Sequence, residues 1–149
     1  MRDPDSMVEF DLELAKKELN VNPVWYVQYA CARTASILRN AVERFGDAAT
    51  VEARWELLVE PKEMELIQKL AELPQEVSVA ARLMEPHRLA HYVLEVASLY
   101  HTFNDEHNCK VLLEDDDVLR VTRLGLVRAA RQILVNVLGI LGVRAPERM

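Results

Sequence analysis

Tyr26, Tyr29, Arg33 and Arg39 recur at helical spacing in one stretch of the chain, with Asn40 directly after them. Phenol rings beside guanidinium groups can stack on unpaired bases while holding phosphates. On a wheel of about 100° per residue, Tyr26, Tyr29, Arg33, Asn40 and Arg44 share one side. Val27, Cys31, Leu38, Val42 and Phe45 fall on the other as the expected core face, with Ala35 beside them. Arg39 lies off that polar arc, near Gln28 and Ala35, so one docking plane cannot use every arginine equally. The same spacing also suits tyrosines at a bundle boundary, which bury their rings and wet their hydroxyls.

Other groups carry less. His87, His91 and Glu95 recur every four residues and could share a helix face. The zinc-hydrolase pattern needs a glutamate directly after the first histidine, where this chain has Arg88, and no cysteine pair has zinc spacing. His101 and His107 flank Thr102, Asn104 and Asp105, but adjacency in sequence does not make a nucleophile–base–orienter triad. There is no glycine-rich phosphate loop. The sequence therefore assigns no catalytic residue and no metal ligand.

The elements that must position these residues read as helices throughout. Asn22 followed by Pro23 is a start signal, a side-chain cap and then a residue with no amide hydrogen to leave unpaired. The helix it opens runs to Phe45, with Gly46 as a left-handed stop. A short helix is expected over 11–20, and further helices near 61–72, 75–84 and 86–104, each at or after a proline. A polar loop over 105–117 carries Glu114-Asp115-Asp116-Asp117, acids that suit the N-terminus of a last helix over 118–141. Gly142 ends it. On that helix Leu126, Ala129, Ala130, Ile133, Val137 and Ile140 form a wide apolar arc, with Arg120, Arg128 and Arg131 across from it. Leu124, Val127, Leu134 and Leu138 lie among those arginines, so the helix is expected to be buried on more than one face. No alternating strand pattern, internal repeat or linker interrupts this. The expected fold is a single all-α helical bundle over 1–149.

The chain has 149 residues, half of them apolar, which is enough for one packed core. No apolar run reaches the roughly 18 residues of a membrane span, and the polar, acidic N-terminal residues do not resemble a signal peptide. Cys31 and Cys109 fit free thiols in a reducing cytosol, so a cytoplasmic setting is expected. The net charge is −6, which argues against an unselective nucleic-acid coat. Basic charge is nonetheless segregated: residues 22–45 total +2 and residues 119–149 total +5, leaving −13 for the rest.

Four blocks, in order, resemble the helical anticodon-binding domain of the DALR type at the C-terminus of arginyl-tRNA synthetase. Asp5-Ser6 with Phe10-Asp11-Leu12 and Leu14-Ala15 resembles the junction after the catalytic domain. Asn22-Pro23 through Tyr26-Val27-Gln28-Tyr29-Ala30 and Arg33 to Ile37-Leu38-Arg39 resembles the signature helix. Glu85-Pro86-His87-Arg88-Leu89-Ala90, with Tyr92 and Leu94-Glu95, resembles the next helix start. Leu124-Gly125-Leu126-Val127, Arg131-Gln132 and the stretch from Leu141 to Met149 resemble the C-terminal part. The class I adenylate-binding signatures, a His-x-Gly-His-like element and a Lys-Met-Ser-Lys-like loop, are absent.

The resemblance implies recognition of the anticodon loop of arginine tRNA. Residues 1–21 would be the junction following a catalytic domain outside this chain, and ATP and magnesium would belong to that domain. This chain would hold no cofactor and would not aminoacylate alone, and its partners would be tRNA and the catalytic domain, with no DNA and no membrane. Carried over by position, Tyr26 and Tyr29 would stack on or hydrogen-bond loop bases, and Arg33 and Arg39 would contact phosphates or base edges. Met149 would complete a pocket for a central cytosine. Asn40 is a further polar candidate. Where the family often has an aromatic, this chain has Asn104, with Tyr100 and Phe103 as the neighbouring candidate rings. The alternative is a free-standing interaction module that kept the fold and lost RNA, motivated by the acidic remainder and by Asn104.

Overall fold

A computed structural model describes residues 22–46 and 52–149. The helix expected over 11–20 and the 1–21 junction lie outside the described residues. Among the described residues every regular element is helical: α1 (Pro23–Phe45), α2 (Pro61–Ala71), α3 (Leu73–Leu83), α4 (His87–Asp105) and α5 (Asp117–Ile140). Three short 3-10 turns join them, at Trp55–Leu57, His107–Cys109 and Val111–Leu113.

The helix ends follow local chemistry. Asn22 Oδ1 accepts from the Val24 amide at 3.1 Å and Pro23 opens α1. Gly46, at φ 74°, donates its amide to the Val42 carbonyl at 2.9 Å. Asp116 caps α5 by accepting from Val118 and Leu119 at 2.8 and 3.1 Å. Gly142, at φ 70°, ends it, and the Val143 amide reaches back to the Leu138 carbonyl at 2.8 Å. The α2–α3 junction differs from expectation. Pro74 lies inside the first turn of α3, and Glu72 serves at once as the end of one helix and the start of the next. A proline lacking an amide hydrogen costs nothing there.

Helix α4 is central: α1, α2, α3 and α5 all pack on it. Its Val96, Ala97, Tyr100 and Phe103 are each fully buried. Helix α1 lies against both α4 and α5, so its buried arc is wider and rotated relative to the simple wheel. Ala30, Cys31, Thr34, Ala35, Ile37 and Ala41 are buried, whereas Val42 and Phe45, expected in the core, are 56% and 40% exposed. Helix α5 buries Leu124, Leu126, Val127, Ala130, Leu134, Val137 and Leu138, more than one face, as its pattern implied. Ile140 is exposed. The Trp55 ring lies over Gly125, where a Cβ would meet it at 2.5 Å, so the missing side chain admits the indole.

Beneath the α2 end of the bundle sits a buried ionic network. Glu63 is 0% exposed; its Oε1 accepts from Arg123 Nε at 2.6 Å and its Oε2 from the Glu60 amide at 3.0 Å. Arg123 Nη1 donates to Glu114 Oε2 at 2.6 Å, tying the loop before α5 to the same point. Cys31 and Cys109 are both free, and burial pushes each thiol up to about 11.

Candidate nucleic-acid interface

The α1–α4 contact builds an aromatic cluster at the surface. His101 of α4 sits against Tyr26 and Tyr29 of α1, with ring centroids 4.8 and 5.4 Å away. The Tyr29 ring stacks on the imidazole at 25° and is 41% exposed, so its histidine-facing side is covered while the residue keeps open surface. Tyr26 is only part-buried and packs against the core. Burial, then the adjacent Arg33 charge, hold the imidazole below its ordinary pKa of 6.5, with the Tyr26 main chain pulling the other way. A neutral His101 can therefore accept at Nδ1, where Arg33 Nη1 approaches at 3.3 Å.

Arg33 is the hub of this surface. Its Nη2 donates to Asp105 Oδ1 at 2.6 Å. With the Asn104 amide assigned so that its oxygen faces the guanidinium, that oxygen accepts from Nε at 3.0 Å and from Nη2 at 2.6 Å. The Arg33 hydrogen bond holds the Asp105 carboxyl below its ordinary range. The guanidinium is thus fixed in place with about a quarter of its side chain exposed.

The segment after α5 turns back over α1. Val143 and Ala145 pack on the core, Gln28 Nε2 donates to the Arg144 carbonyl at 2.8 Å, and Arg39 Nη1 donates to the Glu147 carbonyl at 3.2 Å. Arg131 Nη2 pairs with the Glu147 carboxylate at 2.8 Å. This return closes an open hollow of about 350 Å³ lined by Tyr29, Ala32, Arg33, Ser36, Arg39, Glu147, Arg148 and Met149. Residues far apart in sequence meet there: an open phenol ring, three arginines, an exposed methionine and the carboxylate of Glu147, which Arg131 holds. Among the described residues, Arg39 bonds only a neutral carbonyl, so its charge remains available to an anion.

Of the residues singled out from sequence, Tyr29, Arg33, Arg39 and Met149 converge on this hollow. Tyr26 supports it from behind His101, and Asn40 is half-buried on α1 without lining it. Tyr100 and Phe103 require correction: both rings are 0% exposed and present no face on which a base could stack, because α4 is surrounded by four helices. Burial raises the Tyr100 phenol well above its usual range. Asn104, 8% exposed, does not stand in for an aromatic contact either; its amide fixes Arg33.

Of the six arginines in residues 119–149, three are paired within the chain. Arg120 pairs with Asp117 and lies 3.9 Å over the Phe45 ring, Arg123 is buried with Glu63 and Glu114, and Arg131 pairs with Glu147. The sequence had not marked Arg123 or His101 as belonging to these arrangements. The available signal for His101 was that Ala97, His101 and Asn104 share one α4 face at spacings of four and three. Glu95 of the histidine cluster pairs with Lys69 at 2.5 Å, and among the described residues no three metal-ligating side chains converge. No described helix is long and apolar enough to cross a membrane.

The profile of the DALR anticodon-binding domain family matches residues 27–149. The chain is 58% identical over its whole length to the arginine–tRNA ligase of Desulfitobacterium hafniense (strain DSM 10664 / DCB-2), covering 26% of that protein. It is 51% identical to the arginine–tRNA ligase of Moorella thermoacetica, over 97% of this chain and 26% of that one. The chain thus spans about a quarter of the length of these curated relatives. Among solved structures, Thermus thermophilus arginyl-tRNA synthetase superposes with a TM-score of 0.81 and 32% identity, over 99% of this chain and 24% of that one. A Campylobacter jejuni chain shares the fold at TM-score 0.82 and 21% identity, with 99% and 31% covered. The α1 surface and the returning segment, which build the hollow, lie almost wholly within the matched residues, and the chain belongs to the DALR family as the anticodon-binding domain of an arginyl-tRNA synthetase.

Proposed function

We propose that the hollow beside Tyr29 receives a base of the anticodon loop of arginine tRNA, with Arg33 and Arg39 engaging its flanking phosphates or its edge. The observation that carries this reading is the convergence of Tyr29, Arg33, Arg39 and Met149 on one open concavity. Tyr29 has a supported ring with open surface, which suits stacking worth about 1–3 kcal/mol per base. Arg39 and Arg148 supply cations with no carboxylate partner among the described residues. Within the longer ligase, the reading places ATP, magnesium and the aminoacylation chemistry in the catalytic domain to which this bundle is joined, acting in the cytoplasm. Tyr26 then works as support for Tyr29 through His101, while Asn40 is left for the rim.

A fluorescence titration of the chain with the anticodon stem-loop of arginine tRNA tests the assignment. Saturable binding is expected at low salt, weaker for a non-cognate loop. Log affinity should fall with log salt at a slope of roughly 0.7 per phosphate engaged. Arg39→Ala should remove about one such increment and weaken binding by about 1 kcal/mol. Absence of saturable binding at low salt would reject this function and favour an interaction module without RNA. Binding unchanged in both Arg39→Ala and Arg33→Ala would reject this surface.

A further inference from the structure

Arg33 stands on a ridge, with a second hollow on its other side. This one, of about 300 Å³, is lined by Arg33, Ser36 and Ile37 of α1, by Asn104 at the end of α4, and by Lys110 and Leu113 of the loop beyond. Arg33 and Ser36 border both hollows, so the two are immediate neighbours along α1. Each is at the small end of ligand-sized clefts, room for one nucleotide rather than a stack.

The chemistry of the second hollow matches that size. Lys110 Nζ donates to the Asn104 carbonyl at 3.0 Å, which leaves two of its three donors unused. Among the described residues no carboxylate pairs with it, although it lies near enough to Asp105 to help hold that carboxyl low. Lys110 is thus half-buried, with its ammonium tethered at one point. Leu113, whose amide donates to the Lys110 carbonyl at 3.1 Å, is 69% exposed, an apolar side chain one turn from the cation. Asp105, the acid at the end of α4, is already engaged by Arg33. The ridge and its two flanks therefore hold Arg33, Arg39, Arg148 and Lys110 against Asp105 and Glu147, and Glu147 is itself taken by Arg131.

We infer that this hollow is a second nucleotide subsite: it takes the residue adjacent to the one beside Tyr29 in the same RNA loop, with Lys110 holding that residue's phosphate. The inference rests on the RNA-binding reading above and extends it to a part of the molecule, the loop after α4, that the aromatic cluster does not reach. Two hollows flanking one guanidinium suit consecutive nucleotides, since a backbone crossing the ridge passes its phosphate over Arg33. The alternative is that Lys110 merely caps the last carbonyls of α4, a structural task that needs a donor but no charge.

The test uses the whole chain and synthetic anticodon stem-loops of arginine tRNA in which one loop phosphate at a time is a neutral methylphosphonate. Lys110→Gln keeps a donor for the Asn104 carbonyl and removes the charge, whereas Lys110→Arg keeps the charge. Lys110→Gln is expected to bind the native loop roughly fivefold more weakly at low salt. Its salt slope should fall by about 0.7, while Lys110→Arg should retain both affinity and slope. One methylphosphonate should cost the wild type affinity and cost Lys110→Gln nothing further. That position should neighbour the one showing the same coupling with Arg39→Ala. If Arg39→Ala weakens binding while Lys110→Gln binds and melts like the wild type, the second subsite is overturned and the first stands. Coupling of Lys110 to a phosphate remote from the Arg39 position also overturns it. A wild-type chain that binds no loop overturns both readings together.

Discussion

Replacing Tyr29 separates the ring's two jobs, support within the bundle and stacking on a ligand. The residue is 41% exposed, so about three-fifths of its surface is covered, in part by the His101 imidazole. For a side chain of about 200 Å² that is roughly 120 Å² removed from water, worth about 3 kcal/mol as an upper estimate. Tyr29→Ala therefore lowers stability and binding together, and its binding loss alone proves little. Tyr29→Leu refills most of the covered volume without an aromatic face, and Tyr29→Phe keeps the face and drops only the hydroxyl.

Loss of one base stack is worth about 1–3 kcal/mol, or roughly 5- to 150-fold in Kd. Tyr29→Leu should thus melt close to the wild type and bind the arginine anticodon stem-loop at least about fivefold more weakly. Tyr29→Phe should match the wild type in both. The assay is fluorescence anisotropy with a labelled stem-loop, run well below the melting temperature of every variant so that all are folded. A Tyr29→Leu chain that binds like the wild type would show that the ring is only packing, and the stacking argument would fail.

Two further perturbations probe the frame. Glu63→Ala leaves the Arg123 guanidinium, 5% exposed, with Glu114 alone; breaking such a buried pair costs about 3–5 kcal/mol. Thermal melting should fall by roughly 10 °C, and a fall under about 3 °C would mean the network is not a structural pin. His101 should make stability sensitive to acid. Its folded-state pKa lies below the ordinary 6.5, so the unfolded chain takes the proton first. Its contribution is therefore flat above about pH 6.5 and is lost as pH falls through the folded value. The groups facing it are Arg33, Asp105, Tyr26, Tyr29 and Tyr100, and Arg33 would be repelled by an imidazolium. Melting curves of wild type and His101→Phe between pH 7.5 and 5 measure the difference; equal slopes would remove His101 from the pH response.

Much of this arrangement was legible in the sequence because it is local. Asn22-Pro23, Gly46, Asp116 and Gly142 act on the backbone within one helical turn, and the corresponding helix ends fall within a residue or two of the expected bounds. The Tyr29–Arg33–Arg39 spacing is likewise a property of one helix. What escaped depends on which neighbours a helix has. Helix α1 is wedged between α4 and α5, so its small residues Ala30, Ala35 and Ala41 are buried, while Val42 and Phe45 run past the contact. An aromatic pair near a helix end, such as Tyr100 and Phe103, reads the same in sequence whether it faces solvent or four other helices. The pairing of Arg123 with Glu63 spans sixty positions and has no local signature. Nor does the return of the last residues over α1, held by Gln28 and Arg39, without which Met149 would have no reason to approach Tyr29.

That pairing pattern resolves how an acidic chain can present a surface for a polyanion. A net charge of −6 describes the molecule from far away. At about 0.1 M salt, charges beyond roughly 10 Å are screened, so a phosphate at the α1 surface responds to the groups within that distance. There the bundle has sorted its ions. Arg120, Arg123 and Arg131 are spent on acids of the chain, and the carboxylates nearest the ridge, Asp105 and Glu147, are held by Arg33 and Arg131. Arg39, Arg148 and Lys110 remain without a carboxylate among the described residues, around a supported tyrosine ring. Attraction is therefore a property of which cations the fold leaves unpaired. Residues 119–149 carry six arginines, of which Arg120, Arg123 and Arg131 are neutralised within the chain, whereas the unpaired cations around the Tyr29 ring lie on α1, the returning segment and the loop after α4.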